Sequence, residues 1–380
     1  MNTLVLKSAR VVTPDSISED GWVEVRDEKI HAVGTGPRPD GVDLGGRLLT
    51  PGFVDIHVHG GAGVAFQDAS PNAARAAAEF HLQHGTTTLL AGLGTRPLDD
   101  LIASTELLMP LVEEGVVAGI FYEGPFLSNA RRGAHNPRLL RTPDLDEMAR
   151  LLAPGKDVVR MVTIAPELPG ALDLIHSVVD AGVTAAVGHT DASYDECCAA
   201  FEGGATVATH LFNGMRPIHH RDPGPVLAAL GDDRVTCEVI ADGFHLDDAV
   251  IKHVFDAVGH ARSALITDAI EAAGAGDGAY DHGDMHITVK DGMAMLSDGS
   301  SIAGSTLTMD KALRRSVLSA GVPLHDALLA ATATPARAIG LADQVGVIAP
   351  GNRADLLVMD DSLTLNGVLR RGDWITELSG

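Results

Sequence analysis

Short apolar runs recur along the middle of the chain at intervals of roughly 20–40 residues, with helically spaced apolar positions between them. Eight runs begin at Phe53, Thr86, Val116, Val158, Val183, Ala205, Val235 and Ser263. The stretches between them carry helix punctuation. SPNAARAAAEFHLQHG offers Ser70 as N-cap, Pro71 in the first turn and Gly85 as C-cap, and LPGALDLIHSVVDAGV closes on Gly182 in the same way. Strands alternating with helices predict parallel pairing through helical crossovers. Eight such units match the count of a (β/α)₈ barrel, although a doubly wound sheet fits the periodicity as well. The two ends of the chain differ from this middle. LVLKSARVV, GWVEVRDEKIHAVG and GRLLTPG near the start, and GVIAPGNRADLLVMD and LTLNGVLRRGDWITE near the finish, read as β. The N-terminal segment has one basic residue and a short alternating pattern, so it predicts a strand and not a signal peptide.

Polar positions separate the two α/β alternatives. Seven of the eight runs finish in or just before a His, Asp or Glu: His57 and His59, Glu123, Glu167, His189, His210, Asp242 and Asp268. The opposite ends carry mostly Val, Thr and Ala. Chemistry collects at the C-terminal ends of strands in a barrel, so this sorting favours the (β/α)₈ fold.

Charge and cysteine content narrow the partners. Among 380 residues, 51 Asp and Glu face 28 Lys and Arg, a net charge of −23. That balance excludes a nucleic-acid binder and a protein docking onto anionic membranes. No apolar run approaches the roughly 18 residues a spanning helix needs. Cys197, Cys198 and Cys237 cannot make a disulfide framework, which points to a reducing, cytoplasmic compartment.

The chemistry starts at DIHVHG, Asp55–Gly60. His57 and His59 are two apart, so on a strand both imidazoles face one side, where they suit zinc or a related divalent metal. Glu123, in the apolar word YEGPF, needs a partner or a metal. His189 in VGHT and His210 in ATHLFNGM end the fifth and sixth runs, and the groups together suggest an open catalytic metal site. Asp268 in LITDA can hold and deprotonate water at such a site. The loop MRPIHHRDPG, Met215–Gly224, gathers Arg216, His219, His220 and Arg221 in a chain otherwise poor in bases. It reads as an anion site, against the simpler alternative of a solvated turn paired to Asp222. His81, His84 and His176 read as surface or capping residues, Cys197 and Cys198 as packed thiols, and Cys237 as core. AGAGDGAYDHGD, Ala273–Asp284, lacks EF-hand spacing and reads as a flexible insertion near the barrel mouth.

PGFVDIHVHG together with GVIAPGNRADLLVMD resembles the amidohydrolase superfamily. YEGPFLSNARRGAHNP, VGHT, ATHLFNGMRPIHHRDPG, IADGFH, LITDA and SIAGSTLTM, in that order, are similar to its N-acetylglucosamine-6-phosphate deacetylase family. The resemblance implies a barrel at residues 51–343 and a small β-sandwich from residues 1–50 and 344–380. It implies hydrolysis of the acetamide of N-acetylglucosamine 6-phosphate, in amino-sugar catabolism and recycling. Glu123, His189 and His210 match metal ligands, and Asp268 the catalytic acid/base. Ala134, His135, Asn213, Gly214, Ile302, Ala303 and Gly304 match substrate-contacting positions. Arg221 matches a phosphate-binding arginine, in its own or a neighbouring subunit's site. His245 matches a histidine that contacts substrate and polarises the acetamide carbonyl. His57 and His59 leave room for a second ion bridged by Glu123, so one or two divalent metals are expected, zinc first, with iron, manganese or cobalt as alternatives. The only Lys near the fourth run is Lys156, at its wrong end for the carbamylated bridge of dihydroorotase-like and hydantoinase-like members. A homodimer is implied. Another amidohydrolase acting on a different N-acyl or cyclic amide, or a non-catalytic sugar-phosphate-binding protein on the same fold, are the alternatives.

Overall fold

Strands β1 (Thr3–Val12), β2 (Ile17–Arg26) and β3 (Lys29–Thr35) form an antiparallel meander in the computed structural model, which describes residues 3–283 and 285–378. The short β4 (Val42–Asp43) and β5 (Leu48–Pro51) then pair in parallel with β1.

The barrel follows. Its eight strands are β6 (Phe53–Val58), β9 (Thr86–Leu93), β10 (Gly119–Glu123), β11 (Val159–Ile164), β12 (Thr184–Val187), β13 (Val207–Ala208), β14 (Thr236–Ile240) and β15 (Ser263–Ile266), with a two-residue hairpin, β7 (Gly60–Gly61) and β8 (Val64–Ala65), after the first. All neighbours in the order β6-β9-β10-β11-β12-β13-β14-β15 are parallel. Every residue of β6, β9 and β10 is buried, as expected of strands covered on both faces. Closure between the last and first strands is made just beyond β15, where the Asp268 N–H donates to the His57 carbonyl at 2.9 Å and the His59 N–H to the Ala269 carbonyl at 2.8 Å. Three antiparallel strands, β16 (Gly278–His282), β17 (Met285–Lys290) and β18 (Met293–Leu296), extend from this end. The chain finishes with β19 (Leu356–Met359), β20 (Leu365–Arg370) and β21 (Asp373–Thr376).

β19 lies antiparallel to β5, so both chain ends build one sheet in the order β21-β20-β19-β5-β1-β2-β3. That sheet curls, because the Ile30 N–H donates to the Asn352 carbonyl and the Ala354 N–H to the Glu28 carbonyl, at 2.9 and 2.8 Å. It encloses a core of its own, including Leu6, Val11, Val23, Leu49, Leu356 and Val358. The expected α/β architecture, a barrel with a separate β-domain from both termini, is present.

Local details refine the reading. Helix Pro71–Gln83 starts on Ser70, whose side chain accepts from the Ala73 N–H, but its C-cap is His84. Gly85 comes one position later at φ +87, and a Cβ there would press within 2.9 Å of the Phe53 ring. His81 is not a surface or capping residue. Its ring is fully buried, its Nε2 bonds the Gly60 carbonyl at 2.8 Å, and burial pushes its pKa down to about 4. The segment read as a flexible insertion carries β16, which belongs to the ordered meander packed on Ile287, Val289 and Leu296. Asp284, its last residue, lies outside the described residues. Cys197 and Cys237 are buried and Cys198 is half-buried, all as free thiols. Among the described residues no helix is long and apolar enough to cross a membrane.

Candidate active site

The strand ends converge on one carboxylate. Glu123, the last residue of β10, sets its Oε1 3.0 Å from His210 Nε2, 3.1 Å from His189 Nε2 and 3.5 Å from His57 Nε2. Its Oε2 lies 3.1 Å from His59 Nε2 and 3.4 Å from His135 Nε2. The two strand-one imidazoles face each other at 3.1 Å, and those of His189 and His210 at 3.0 Å.

Partners on the far side of two rings set their tautomers. His57 Nδ1 donates to the fully buried Glu238 carboxylate at 2.9 Å, and His189 Nδ1 donates to the Arg131 carbonyl at 2.9 Å. Both rings therefore present an Nε2 lone pair to an anionic oxygen. Acceptor against acceptor is repulsive unless a cation lies between them, which is the chemistry of a metal donor set. Two buried groups could hold an ion, His57, His59 and Glu123, and Glu123, His189 and His210, and they share Glu123. The surrounding carboxylates make the pocket one that demands positive charge, which protons on the rings or a metal ion can supply. Burial opposes charge on His57, yet Glu238, Glu123 and Asp268 hold its pKa well above the ordinary value. Burial likewise opposes charge on Glu123, yet His57 and His189 hold it well below its own.

Asp268 completes the floor. Its Oδ1 is 3.4 Å from His57 Nε2 and 3.6 Å from His59 Nε2. His189, His210 and Asp268 each sit two residues beyond their strand with φ of +47°, +28° and +48°. A left-handed backbone costs a non-glycine residue about 1–2 kcal/mol, and here it turns all three side chains into the mouth.

Above the floor opens a cavity of about 370 Å³. Ala134, His135, Asn213, Gly214, His245, Ile302, Ala303 and Gly304 line it, together with His59, Glu123, His189, His210 and Asp268. His57 lies fully buried beneath. Gly214 has φ +60, and a Cβ there would come within 2.9 Å of His189 Nδ1, so the backbone can approach only as glycine. His245 Nδ1 is 2.7 Å from Asp242 Oδ2. Burial lowers the pKa of His245, but the bond and charge of Asp242 outweigh this and raise it.

Four residues stand apart from the cluster. Glu167 accepts from Thr190 Oγ1 at 2.5 Å and the Asp191 N–H at 2.6 Å, so it fixes the loop after β12. Arg216 pairs with Asp222 at 3.0 Å and Asp191 at 3.4 Å, the ordinary reading of its turn. Arg221 is exposed, contacts His220 at 2.6 Å and is not on the cavity wall. Lys156 is exposed and precedes β11, at the opposite end of that strand from the cluster.

Two functional residues escaped the sequence reading. Glu238, in the middle of β14, bonds both His57 Nδ1 and the His210 N–H, the latter at 3.0 Å. The available signal was a carboxylate inside the apolar run VTCEVIAD. His282, at the end of β16, lines the cavity with its Nδ1 2.9 Å from Glu271 Oε2 and its ring 6.2 Å from that of His59. Glu238→Gln is expected to weaken metal binding about 10–100-fold, measured by competition with a chromophoric chelator. Unchanged affinity would reduce Glu238 to a packing role.

A histidine-carboxylate cluster able to hold metal, at the C-terminal mouth of an eight-stranded parallel barrel, defines a class of hydrolases. The chain belongs to the amidohydrolase family, whose model matches residues 48–375. Within that metal-dependent class it is 34% identical over 375 residues to the N-acetylgalactosamine-6-phosphate deacetylase of Escherichia coli O157:H7, covering 97% of this chain and 98% of that protein. It is 32% identical over 377 residues to the N-acetylglucosamine-6-phosphate deacetylase of Lysinibacillus sphaericus, covering 97% of each. A solved structure of an Asp-to-Ala mutant of N-acetyl-D-glucosamine-6-phosphate deacetylase from Mycobacterium smegmatis, in complex with N-acetyl-D-glucosamine-6-phosphate, aligns with a TM-score of 0.96 and 44% identity over 99% of this chain and 100% of that one.

Proposed function

We infer that the protein hydrolyses the acetamide of N-acetylglucosamine 6-phosphate to glucosamine 6-phosphate and acetate. The observation that carries this reading is Glu123 set between two histidine pairs, with Asp268 beside them on the floor of a cavity sized for a small molecule. His57, His59 and Glu123 would hold one divalent ion, and Glu123, His189 and His210 another. Zinc fits these imidazole and carboxylate donors first, with iron, manganese or cobalt also suited. When bound, such a metal polarises a carbonyl and lowers the pKa of water.

The residues of the chain then divide the work. Asp268 takes a proton from the attacking water on a carboxylate oxygen. As the carbon–nitrogen bond breaks, it returns that proton to nitrogen, so the amine leaves neutral. His245, oriented through Nδ1 by Asp242, turns Nε2–H toward the acetamide oxygen and stabilises the charge that develops there. Asn213, Gly214, Ala134, His135 and the Ile302–Gly304 segment hold the sugar in place for attack. Arg221 binds the 6-phosphate. Its position off the wall of its own cavity supports service to a neighbouring copy, in a homodimer. Free, packed cysteines support a cytoplasmic setting.

The test is acetate release from N-acetylglucosamine, its 6-phosphate and N-acetylgalactosamine 6-phosphate after metal analysis. The 6-phosphate of N-acetylglucosamine should show the highest kcat/KM, at least about 100-fold above the neutral sugar, because losing a bidentate charge-assisted phosphate contact costs several kcal/mol. Equal rates on the neutral and phosphorylated sugars would defeat the phosphate assignment. A higher kcat/KM for the galactosamine ester would move the assignment to that epimer.

A further inference from the structure

A second cavity, of about 360 Å³, opens at the other end of the barrel, between the strand bottoms and the terminal sheet. Four arginines line it: Arg160 near the start of β11, Arg353 before β19, Arg370 at the end of β20, and Arg371 beside it. Such a concentration is at odds with a chain of net charge −23.

Their pairing is incomplete. Arg353 meets the buried Asp355 at 2.7 Å and Thr88 Oγ1 at 2.7 Å. Arg160 donates only to the Ala118 carbonyl at 2.5 Å, and Arg370 to the carbonyls of Gly115 and Val116 at 2.5 and 3.1 Å. The Arg371 side chain has no hydrogen-bond or ion-pair partner among the described residues, and the Nε atoms of Arg370 and Arg371 are buried without an acceptor. The carboxylates on the wall, Glu113 and Asp157, are exposed. Burial, reinforced by Arg371, Arg353 and Arg75 against Asp355, holds Arg370 below its ordinary pKa. Buried donors without acceptors are costly, and guanidinium forks match tetrahedral phosphate oxygens two at a time. A cavity of about 360 Å³ suits a small molecule rather than a polymer.

We propose that this cavity is a second anion site, distinct from the catalytic mouth, that takes the phosphate group of a small molecule, either inorganic phosphate or a phosphomonoester. Its arginines come from the barrel on one side and the terminal sheet on the other. A bound phosphate therefore ties the two together, and its effect is read as stability rather than turnover.

The experiment is thermal unfolding of the metal-loaded protein with inorganic phosphate or with glycerol 3-phosphate, at ionic strength matched with chloride. Tm should rise by about 2–4 °C over the chloride control. The rise should vanish in Arg371→Met and in Arg160→Met, while deacetylation kcat stays within twofold of the parent. A rise with both compounds admits esters, and a rise with inorganic phosphate alone restricts the site to the free ion. Tungstate soaked into parent crystals, which needs no variant to fold, should give an anomalous peak among these arginines. A Tm rise of the same size in parent and variants, or an empty cavity after soaking, overturns the proposal.

Discussion

Asp268→Asn is expected to lower kcat by about 10²–10⁴-fold, with metal content and substrate affinity retained. The asparagine keeps the shape of the side chain but cannot take a proton from water. It is also among the few residues that tolerate the left-handed backbone at this position, φ +48, so the fold should survive the change. The main-chain bonds through which Asp268 closes the barrel, from its N–H to the His57 carbonyl and from the Ser305 N–H to its own carbonyl, involve no side-chain atom. Single-turnover kinetics with the 6-phosphate substrate, beside metal analysis and equilibrium binding, separates the possibilities. A kcat within threefold of the parent would remove Asp268 from the proton-transfer role. Loss of metal in step with activity would make it a ligand instead.

Glu123→Gln is the second large effect. Metal content should fall by half or more, and kcat by more than about 100-fold, because the one carboxylate shared by both donor groups loses its charge. The amide would also turn N–H hydrogens toward imidazole nitrogens that would be needed as metal donors. Circular dichroism should show an intact fold, since Glu123 faces the mouth and its strand keeps its ladder to β9 and β11. Full metal occupancy in this variant would exclude a shared bridge at Glu123.

What could be read from the sequence follows a physical divide. The barrel was legible because its strands are buried on both faces and so appear as short uniform runs. The convergence of His57, His59, Glu123, His189, His210 and Asp268 was legible because polar residues closing such runs share one end of the barrel, although Glu167, which also closes one, fixes a loop instead. Glu238 was not, since a mid-strand carboxylate carries no mark of which ring it will orient. His282 was hidden by the Gly/Asp-rich words before it, although the alternation in HITVK nearby is that of a strand with one buried face. His81 was misplaced despite a usable signal: Ala74, Ala77, Ala78 and His81 follow the spacing of one buried helix face. Arg221 marks a further limit, because local sequence does not say whether a loop faces its own cavity or a neighbour's.

The terminal sheet imposes an order on synthesis. β1, β2 and β3 can pair with one another as soon as they leave the ribosome, but β5 waits for β19, which is made roughly 300 residues later. At about 5–20 residues per second that interval is about 15–60 s. Throughout it the apolar edge Leu48–Pro51 has no antiparallel neighbour, and five of the thirteen buried residues in that core do not yet exist. The early strands of this sheet are thus completed only after the whole barrel between them and β19 has been made.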